Sequence, residues 1–194
     1  LGTDSEEPAT PGPVCPPGSG SRAHFSATCT ACHRCVTACP TGVLRPALLE
    51  YGLAGMLQPH LSFEHGYCEY DCTRCSEACP TGAIRSGLEL HEKHRIQLGT
   101  VALHRRLCVV YLNREDCGAC AEVCPTHAVY TRNIAGILYP AIAPEACVGC
   151  GACENACPQL PKAIVVKPHA VHKRATAPYQ PFYPTAPIGP PKAS

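Results

Sequence analysis

The chain has 194 residues and a formal net charge of +1, with no Trp, one Met and three Phe against 17 Cys and 21 Pro. Its Lys and Arg residues form no basic stripe of the kind that nucleic-acid-binding proteins carry, so we expect no nucleic acid partner. No apolar run approaches the ~20 residues that a membrane-spanning helix needs, so we expect no membrane span in this chain.

The composition divides the chain into three parts. Residues 1–23 are rich in Pro, Gly, Ser and acidic residues, which is the composition of a linker. Residues 24–167 contain the repeated motifs and the apolar segments, and we predict that they form the core. Residues 168–194 are Pro-rich. They are either a disordered tail or an arm whose aromatic side chains contact the core or a partner.

Four groups of four cysteines, each ending in Cys-Pro, define the predicted core. Groups 1 and 4 follow the C-x2-C-x2-C-x3-C-P spacing by which bacterial ferredoxins hold 4Fe–4S clusters. The first gap is longer in groups 2 and 3. Thiolate is the soft ligand that suits iron in such a cluster, and proline turns the chain away without leaving an unpaired N–H. We therefore predict four 4Fe–4S clusters.

The sixteen predicted ligands are Cys29, Cys32, Cys35 and Cys39 in group 1; Cys68, Cys72, Cys75 and Cys79 in group 2; Cys108, Cys117, Cys120 and Cys124 in group 3; and Cys147, Cys150, Cys153 and Cys157 in group 4.

The segments between the groups predict an α+β fold of ferredoxin-like repeats, with short strands and helices around the four clusters. The leucines and the methionine of residues 46–57 recur at helical spacing and predict a helix. Residues 96–103 predict a strand with a bend at Gly99. A short apolar segment follows each Cys-Pro pair, and there we predict strands: at residues 43–44, 83–84, 128–130 and 163–166.

Three other interpretations of the cysteines fit the sequence less well. A disulfide scaffold has no reason to repeat one spacing with a closing Cys-Pro. Zinc sites with four cysteines usually pair two Cys-x-x-Cys motifs across a longer spacer. Cys68, Cys72 and Cys75 match the C-x3-C-x2-C signature of radical S-adenosylmethionine enzymes. Those enzymes resemble TIM barrels of about 250 residues, and they lack the fourth ligand that Cys79 supplies here.

Three residues outside the predicted ligand set carry chemistry of interest. Cys15 is the seventeenth cysteine and lies in the predicted linker, so we expect a free thiol or a bond to another chain. His33 and His127 lie beside cluster cysteines. They either donate N–H groups to sulfur or are solvated loop residues.

Four segments carry a resemblance to a known family: Pro-Pro-Gly at 16–18 followed by Phe25, Cys-Pro-Thr-Gly-Ala-Ile at 79–84, LGTVAL at 98–103, and VGCGACENAC at 148–157. With these segments and its widely opened third group, the chain resembles the NapG/MauM ferredoxin-type proteins. That family has four clusters and is associated with periplasmic nitrate reductase and methylamine dehydrogenase systems. Its members are similar to the electron-transfer subunits of molybdoenzyme reductases.

The resemblance implies a function and partners. We expect a protein that relays single electrons to or from a redox partner, such as a membrane quinol-oxidising subunit, a terminal reductase or a dehydrogenase. It would be periplasmic or membrane-associated, with the cytoplasm as the alternative. No substrate-pocket motif or catalytic acid–base pair is visible, so we expect a carrier or an oxidoreductase subunit without catalytic residues of its own. Two alternatives are a fragment of a membrane quinol-oxidising oxidoreductase and a cluster-containing maturation factor. Because the chain begins with Leu, we expect a processed or excised piece.

The resemblance also implies a nested pairing of group 1 with group 4 and of group 2 with group 3. A tandem pairing of group 1 with group 2 and of group 3 with group 4 is the alternative. In the nested scheme, Cys29, Cys32 and Cys35 share a cluster with Cys157; Cys147, Cys150 and Cys153 with Cys39; Cys68, Cys72 and Cys75 with Cys124; and Cys108, Cys117 and Cys120 with Cys79.

Overall fold

A computed structural model describes residues 12–176 as a set of short helices and strands joined by tight loops. The helices are α1 (Arg22–Thr28), α2 (Arg34–Ala38), α3 (Arg74–Ala78), α4 (Leu90–Lys93), α5 (Val109–Asn113), α6 (Ala119–Glu122) and α7 (Ala152–Ala156). The strands are β1 (Leu44–Pro46), β2 (Pro59–Leu61), β3 (Ile96–Leu103), β4 (Val129–Ile134), β5 (Ile137–Ile142) and β6 (Ile164–Arg174). Single 3₁₀ turns lie at Leu53–Gly55 and Arg105–Leu107. No helix in this part of the chain could cross a membrane.

The strands pair as three antiparallel two-stranded sheets: β1 with β2, β3 with β6, and β4 with β5. The β3–β6 pair joins distant parts of the chain, with Leu103 opposite Ile164 at one end and Ile96 opposite Arg174 at the other. Its register shifts between Gln97 and Gly99, which confirms the predicted strand and its bend.

A one-turn helix recurs in all four cysteine groups. In each case the third cysteine is the second residue of the helix, and the helix ends one or two residues before the fourth cysteine. The backbone of Cys39, Cys79 and Cys157 is extended. A following proline disfavours the helical conformation in the residue before it, so Cys-Pro ends each helix. The local fold of the groups therefore follows from their sequence.

The packed region extends beyond both predicted boundaries of the core. Val14, Cys15 and Ser19 are buried, although they lie in the predicted linker. Main-chain hydrogen bonds hold this segment: Leu61 N–H donates to the Val14 carbonyl at 3.0 Å. At the other end, β6 continues to residue 174, past the predicted end at 167. Residues 1–11 of the predicted linker and residues 177–194 of the predicted tail lie outside the described residues.

Three of the predicted strands are confirmed, and one is wrong. The confirmed strands are those after groups 1, 3 and 4, which appear as β1, β4 and β6. No strand forms at residues 83–84. There the Ile84 N–H donates to the Cys79 sulfur at 3.4 Å, so it has a sulfur partner rather than a strand partner.

The predicted helix over residues 46–57 is wrong. Apart from the end of β1 and one 3₁₀ turn, this segment is a loop, and Leu48 and Leu53 are 68% and 80% exposed. Gly52 has φ +74°, a left-handed conformation that ends regular helix. Hydrogen bonds between Ala47 and the neighbouring Leu57 and Gln58 close the loop at its base. The leucine spacing therefore reflects no buried helix face.

Candidate cluster sites

Two cavities show directly how the cysteine groups combine. Cys39 of group 1 lines one cavity together with the first three cysteines of group 2. Cys157 of group 4 lines another cavity together with the first three cysteines of group 3. Apolar side chains complete the walls of both, for example Val43 in the first and Ile164 in the second. Each cavity thus has four thiols, three from one group and one from its neighbour.

The electrostatic environment of the remaining thiols gives the same result. Burial, followed by the charges of Cys29, Cys79 and Cys32, raises the pKa of Cys35 to about 11. Burial is also the main cause that raises the pKa of Cys153. The neighbouring thiols that raise this pKa further include Cys124. The fourth cysteine of each group therefore lies beside the first three of its partner group.

These contacts define four candidate sites of four thiols each. Site A is Cys29, Cys32, Cys35 and Cys79; site B is Cys39, Cys68, Cys72 and Cys75; site C is Cys108, Cys117, Cys120 and Cys157; site D is Cys124, Cys147, Cys150 and Cys153.

The nested pairing implied by the resemblance is wrong, because the structure has the tandem pairing. Group 1 exchanges its fourth cysteine with group 2, and group 3 exchanges with group 4. Helix α2 packs against α3, and α6 packs against α7. Since each of these helices carries the third cysteine of its group, the helix contacts decide which groups share a site.

Threonine hydroxyls contact three of the exchanged sulfurs. The threonine two residues after the cysteine reaches Sγ in the pairs Thr41–Cys39, Thr81–Cys79 and Thr126–Cys124, at 3.6, 3.7 and 3.7 Å. Group 4 has Gln159 at this position. A recurrent Cys-Pro-Thr sequence is the signal that could have predicted these contacts, which the motif spacing alone did not.

Main-chain N–H groups add to these contacts. The N–H five residues after the cysteine points at the sulfur, from Ile84 to Cys79 and from Val129 to Cys124, at 3.4 Å in both cases. Such donors stabilise a thiolate and tune the potential of a cluster that it binds. Burial acts to raise the pKa of Cys79, but these N–H and hydroxyl donors lower it overall.

Three other thiols of the sites, those of Cys75, Cys120 and Cys150, have raised pKa values when no iron is bound. Burial, with smaller contributions from neighbouring thiols, raises the pKa of Cys75, Cys120 and Cys150 to about 12. A metal ligand must be the thiolate, so iron binding must displace these protons. Insertion of a cluster is therefore coupled to proton release.

The donor set fits 4Fe–4S clusters. Within residues 12–176, no three Cys, His, Asp or Glu side chains surround one point closely enough to hold a single metal ion. A cube requires wider spacing, because each of its four irons takes its own thiolate. Four soft thiols per site, apolar walls, and hydroxyl and N–H donors at the sulfurs of sites A, B and D are what such a cube needs.

The four sites form a row. The pKa of Cys75 in site B is raised first by burial, then by Cys68 of the same site, and then by Cys35 of site A. The Cys68 N–H of site B donates to the Cys150 carbonyl of site D at 2.8 Å. Cys120 of site C is among the charges that act on Cys153 of site D, after burial. The order of the sites is therefore A, B, D, C.

Among residues 12–176, no hydrogen bond joins the side chain of Cys15, His33 or His127 to a sulfur of the four sites. Cys15 is buried, with its Sγ 3.4 Å from the Tyr51 hydroxyl, so a bond to another chain does not fit. The His33 ring nitrogen Nε2 lies 2.8 Å from the Leu57 carbonyl oxygen. His127 is exposed, with a left-handed backbone at φ +51°. These positions favour the loop interpretation of both histidines.

Family models of iron–sulfur proteins match the part of the chain that contains the four cysteine groups. A family model described as "4Fe-4S dicluster domain" matches residues 28–84, which span groups 1 and 2. A second model with the same description matches residues 67–128 and residues 113–161.

A ferredoxin-type protein matches most of the chain. The "Ferredoxin-type protein NapF" of Escherichia coli K12 is 29% identical over 143 residues, which cover 74% of this chain and 79% of that protein. The protein of the same name from Escherichia coli O157:H7 matches with the same values.

One solved structure with a weak likeness is a chain of a formate dehydrogenase–heterodisulfide reductase–formylmethanofuran dehydrogenase complex from Methanospirillum hungatei. It is 23% identical, with a TM-score of 0.31, and the match covers 77% of this chain and half of that one. A TM-score this low carries no argument about this chain. The cysteine sites, the dicluster matches and the ferredoxin-type relative agree with one another: the chain is a ferredoxin-like iron–sulfur protein that contains 4Fe–4S dicluster domains.

Proposed function

We propose that the chain relays single electrons through four 4Fe–4S clusters, one in each of sites A to D, with all sixteen group cysteines as ligands. The observation that carries this proposal is the row of four-thiol sites in which each site adjoins the next. A single structural or regulatory cluster would need four thiols, whereas a continuous row supports passage of charge from one end of the molecule to the other.

Three sets of residues have separate roles in this function. The thiolates bind iron, and the threonine hydroxyls and main-chain N–H groups stabilise charge on the sulfurs. The apolar walls of the sites exclude water, which keeps the reduced state from reacting with solvent and strengthens these electrostatic interactions. When bound, 4Fe–4S clusters supply one-electron reduction and oxidation at potentials set by this surrounding.

The proposal also includes a partner protein and a cellular compartment. The resemblance to NapG/MauM proteins supports a redox protein as partner, either a quinol-oxidising subunit, a terminal reductase or a dehydrogenase. It also supports a periplasmic or membrane-associated location. Fractionation of native cells followed by immunoblotting with an antibody to the chain tests the location. Detection only in the cytoplasmic fraction contradicts it.

The cluster count can be measured directly. Iron and acid-labile sulfide are determined after anaerobic purification, and the expected result is about 16 irons per chain. A reductive titration followed by EPR is expected to give reduced-cluster signals that broaden as neighbouring sites fill, because adjacent paramagnets interact. About eight irons, or four independent signals without interaction, contradicts a continuous four-site row.

A further inference from the structure

Lys93 is a buried cation at the junction of sites B and D. Only 6% of the residue is exposed. Its Nζ donates to the Tyr70 carbonyl at 3.0 Å and also to the Glu69 carbonyl. Both carbonyls belong to the loop between Cys68 and Cys72, two of the proposed ligands of site B. The ammonium group therefore lies against the ligand loop from inside the protein.

The same side chain faces the contact between the two halves of the row. Lys93 lines a small cavity together with Cys68 of site B and Cys150 of site D. Burial raises the pKa of Cys68, and the charge of Lys93 is the largest influence in the opposite direction. The ammonium group thus acts on the sulfur of Cys68. The main-chain N–H of the same residue donates to the Cys150 carbonyl of site D.

No carboxylate neutralises this charge within residues 12–176. The four ion pairs in that part of the chain use other residues, and the nearby Asp71 pairs with His94. The two carbonyl groups accept hydrogen bonds from Lys93 but leave its charge without a counter-ion. A buried ammonium group is costly unless an opposite charge compensates it. Thiolates of site B that bind a cluster are the negative group within its reach.

We propose that the charge of Lys93 raises the reduction potential at site B relative to site D, so that an electron crossing between the two halves is more stable at site B. This inference rests on the proposed electron relay. A fixed positive charge in a low-dielectric setting favours the state with more negative charge, which is the reduced one. In the step concerned, one electron moves from site D to site B, site D is oxidised and site B is reduced, and no bond or proton changes place.

Lys162 provides a matched control at the other end of the row. Its Nζ donates to the carbonyls of Cys157 and Asn155 at 2.6 and 3.2 Å, which resembles the contacts of Lys93. It differs in two respects. It lies beside site C, and its charge acts on the nearby carboxylate of Glu154. Removal of Lys162 therefore removes a lysine from a ligand loop without changing site B.

The test is an EPR-monitored redox titration of the full chain, purified anaerobically with its iron and sulfide measured. We compare wild type with Lys93→Met, Lys93→Arg and Lys162→Met. In Lys93→Met, the midpoint potential of one reduction wave is expected to fall by about 59 mV. For a one-electron step, this fall corresponds to a tenfold change in the reduced-to-oxidised ratio at a given potential. Lys93→Arg keeps the charge and is expected to restore the wild-type wave. Lys162→Met is expected to leave that wave in place.

Unchanged waves in a fully loaded Lys93→Met protein overturn the inference, and so does an equal shift in Lys93→Arg. If Lys93→Met assembles fewer clusters, Lys93→Gln is compared with Lys93→Arg, and equal potentials in those two variants overturn it. Wild-type protein that takes up no electrons refutes the proposed relay itself, which is a different result from an absent shift in the variants.

Discussion

Replacement of Gly149 by alanine is expected to destabilise the contact between sites B and D. Gly149 has φ +70°, and a Cβ atom there would lie 2.6 Å from the nitrogen and 2.7 Å from the oxygen of Gly99. Both contacts are with main chain, which cannot rotate away as a side chain can. The residues on either side of Gly149 also accept hydrogen bonds, Val148 from Leu98 and Cys150 from Cys68.

The magnitude combines two costs. A left-handed conformation costs a non-glycine residue about 1–2 kcal/mol. Insertion of a carbon atom into a packed region costs about 1–3 kcal/mol more. The expected loss of folding free energy is therefore about 2–5 kcal/mol. For a chain of this size, each kcal/mol lowers the thermal midpoint by about 2–4 °C, which gives a decrease of roughly 4–20 °C.

Gly136→Ala is the matched control, because Gly136 has φ +85° but nothing within 4 Å of its Cβ position. It is expected to show the conformational cost alone, a decrease of roughly 2–8 °C. The assay is the thermal loss of cluster absorbance and circular dichroism under anaerobic conditions at one scan rate. Equal midpoints for the two variants would refute the reasoning from the Gly99 contact.

Three further variants test other features. Cys39→Ala combined with Cys75→Ala is expected to lose one cluster, about four irons by analysis, because both thiols line site B; loss of eight irons contradicts the tandem pairing. Burial of His172 lowers its pKa to about 4, so its contribution to stability is complete above about pH 6.5 and is lost as the pH falls towards 4. His172→Gln is expected to flatten the fall in thermal midpoint between those values, and a fall equal to that of wild type contradicts this. Thr126→Val removes the hydroxyl beside Cys124 and is expected to lower one reduction potential with all clusters present; EPR titration tests this, and an unchanged potential contradicts it.

The cysteine groups could be recognised from sequence because their spacing is a local property. A two-residue gap and a closing Cys-Pro fix the loop and the one-turn helix wherever the group lies in the fold. The pairing of groups could not be derived in this way. It depends on which helices pack together, α2 with α3 and α6 with α7, and that choice is tertiary.

The failures of sequence reasoning have physical causes as well. Helical spacing predicts a helix only if an apolar surface is available for the helix to cover, and Leu48, Leu49 and Leu53 all face solvent here. Lys93 gave no signal, because a single lysine in a polar segment is usually an exposed one. Its burial results from a loop contact with residues more than twenty positions away.

The exchange of the fourth cysteine interlocks the two groups of each pair. If group 2 were deleted, site B would keep only Cys39, and site A would lose Cys79. A single group is thus never an independent ferredoxin unit in this chain. The smallest segment that retains a complete set of ligands contains two groups, and oxidative loss of one loop leaves two neighbouring sites incomplete at once.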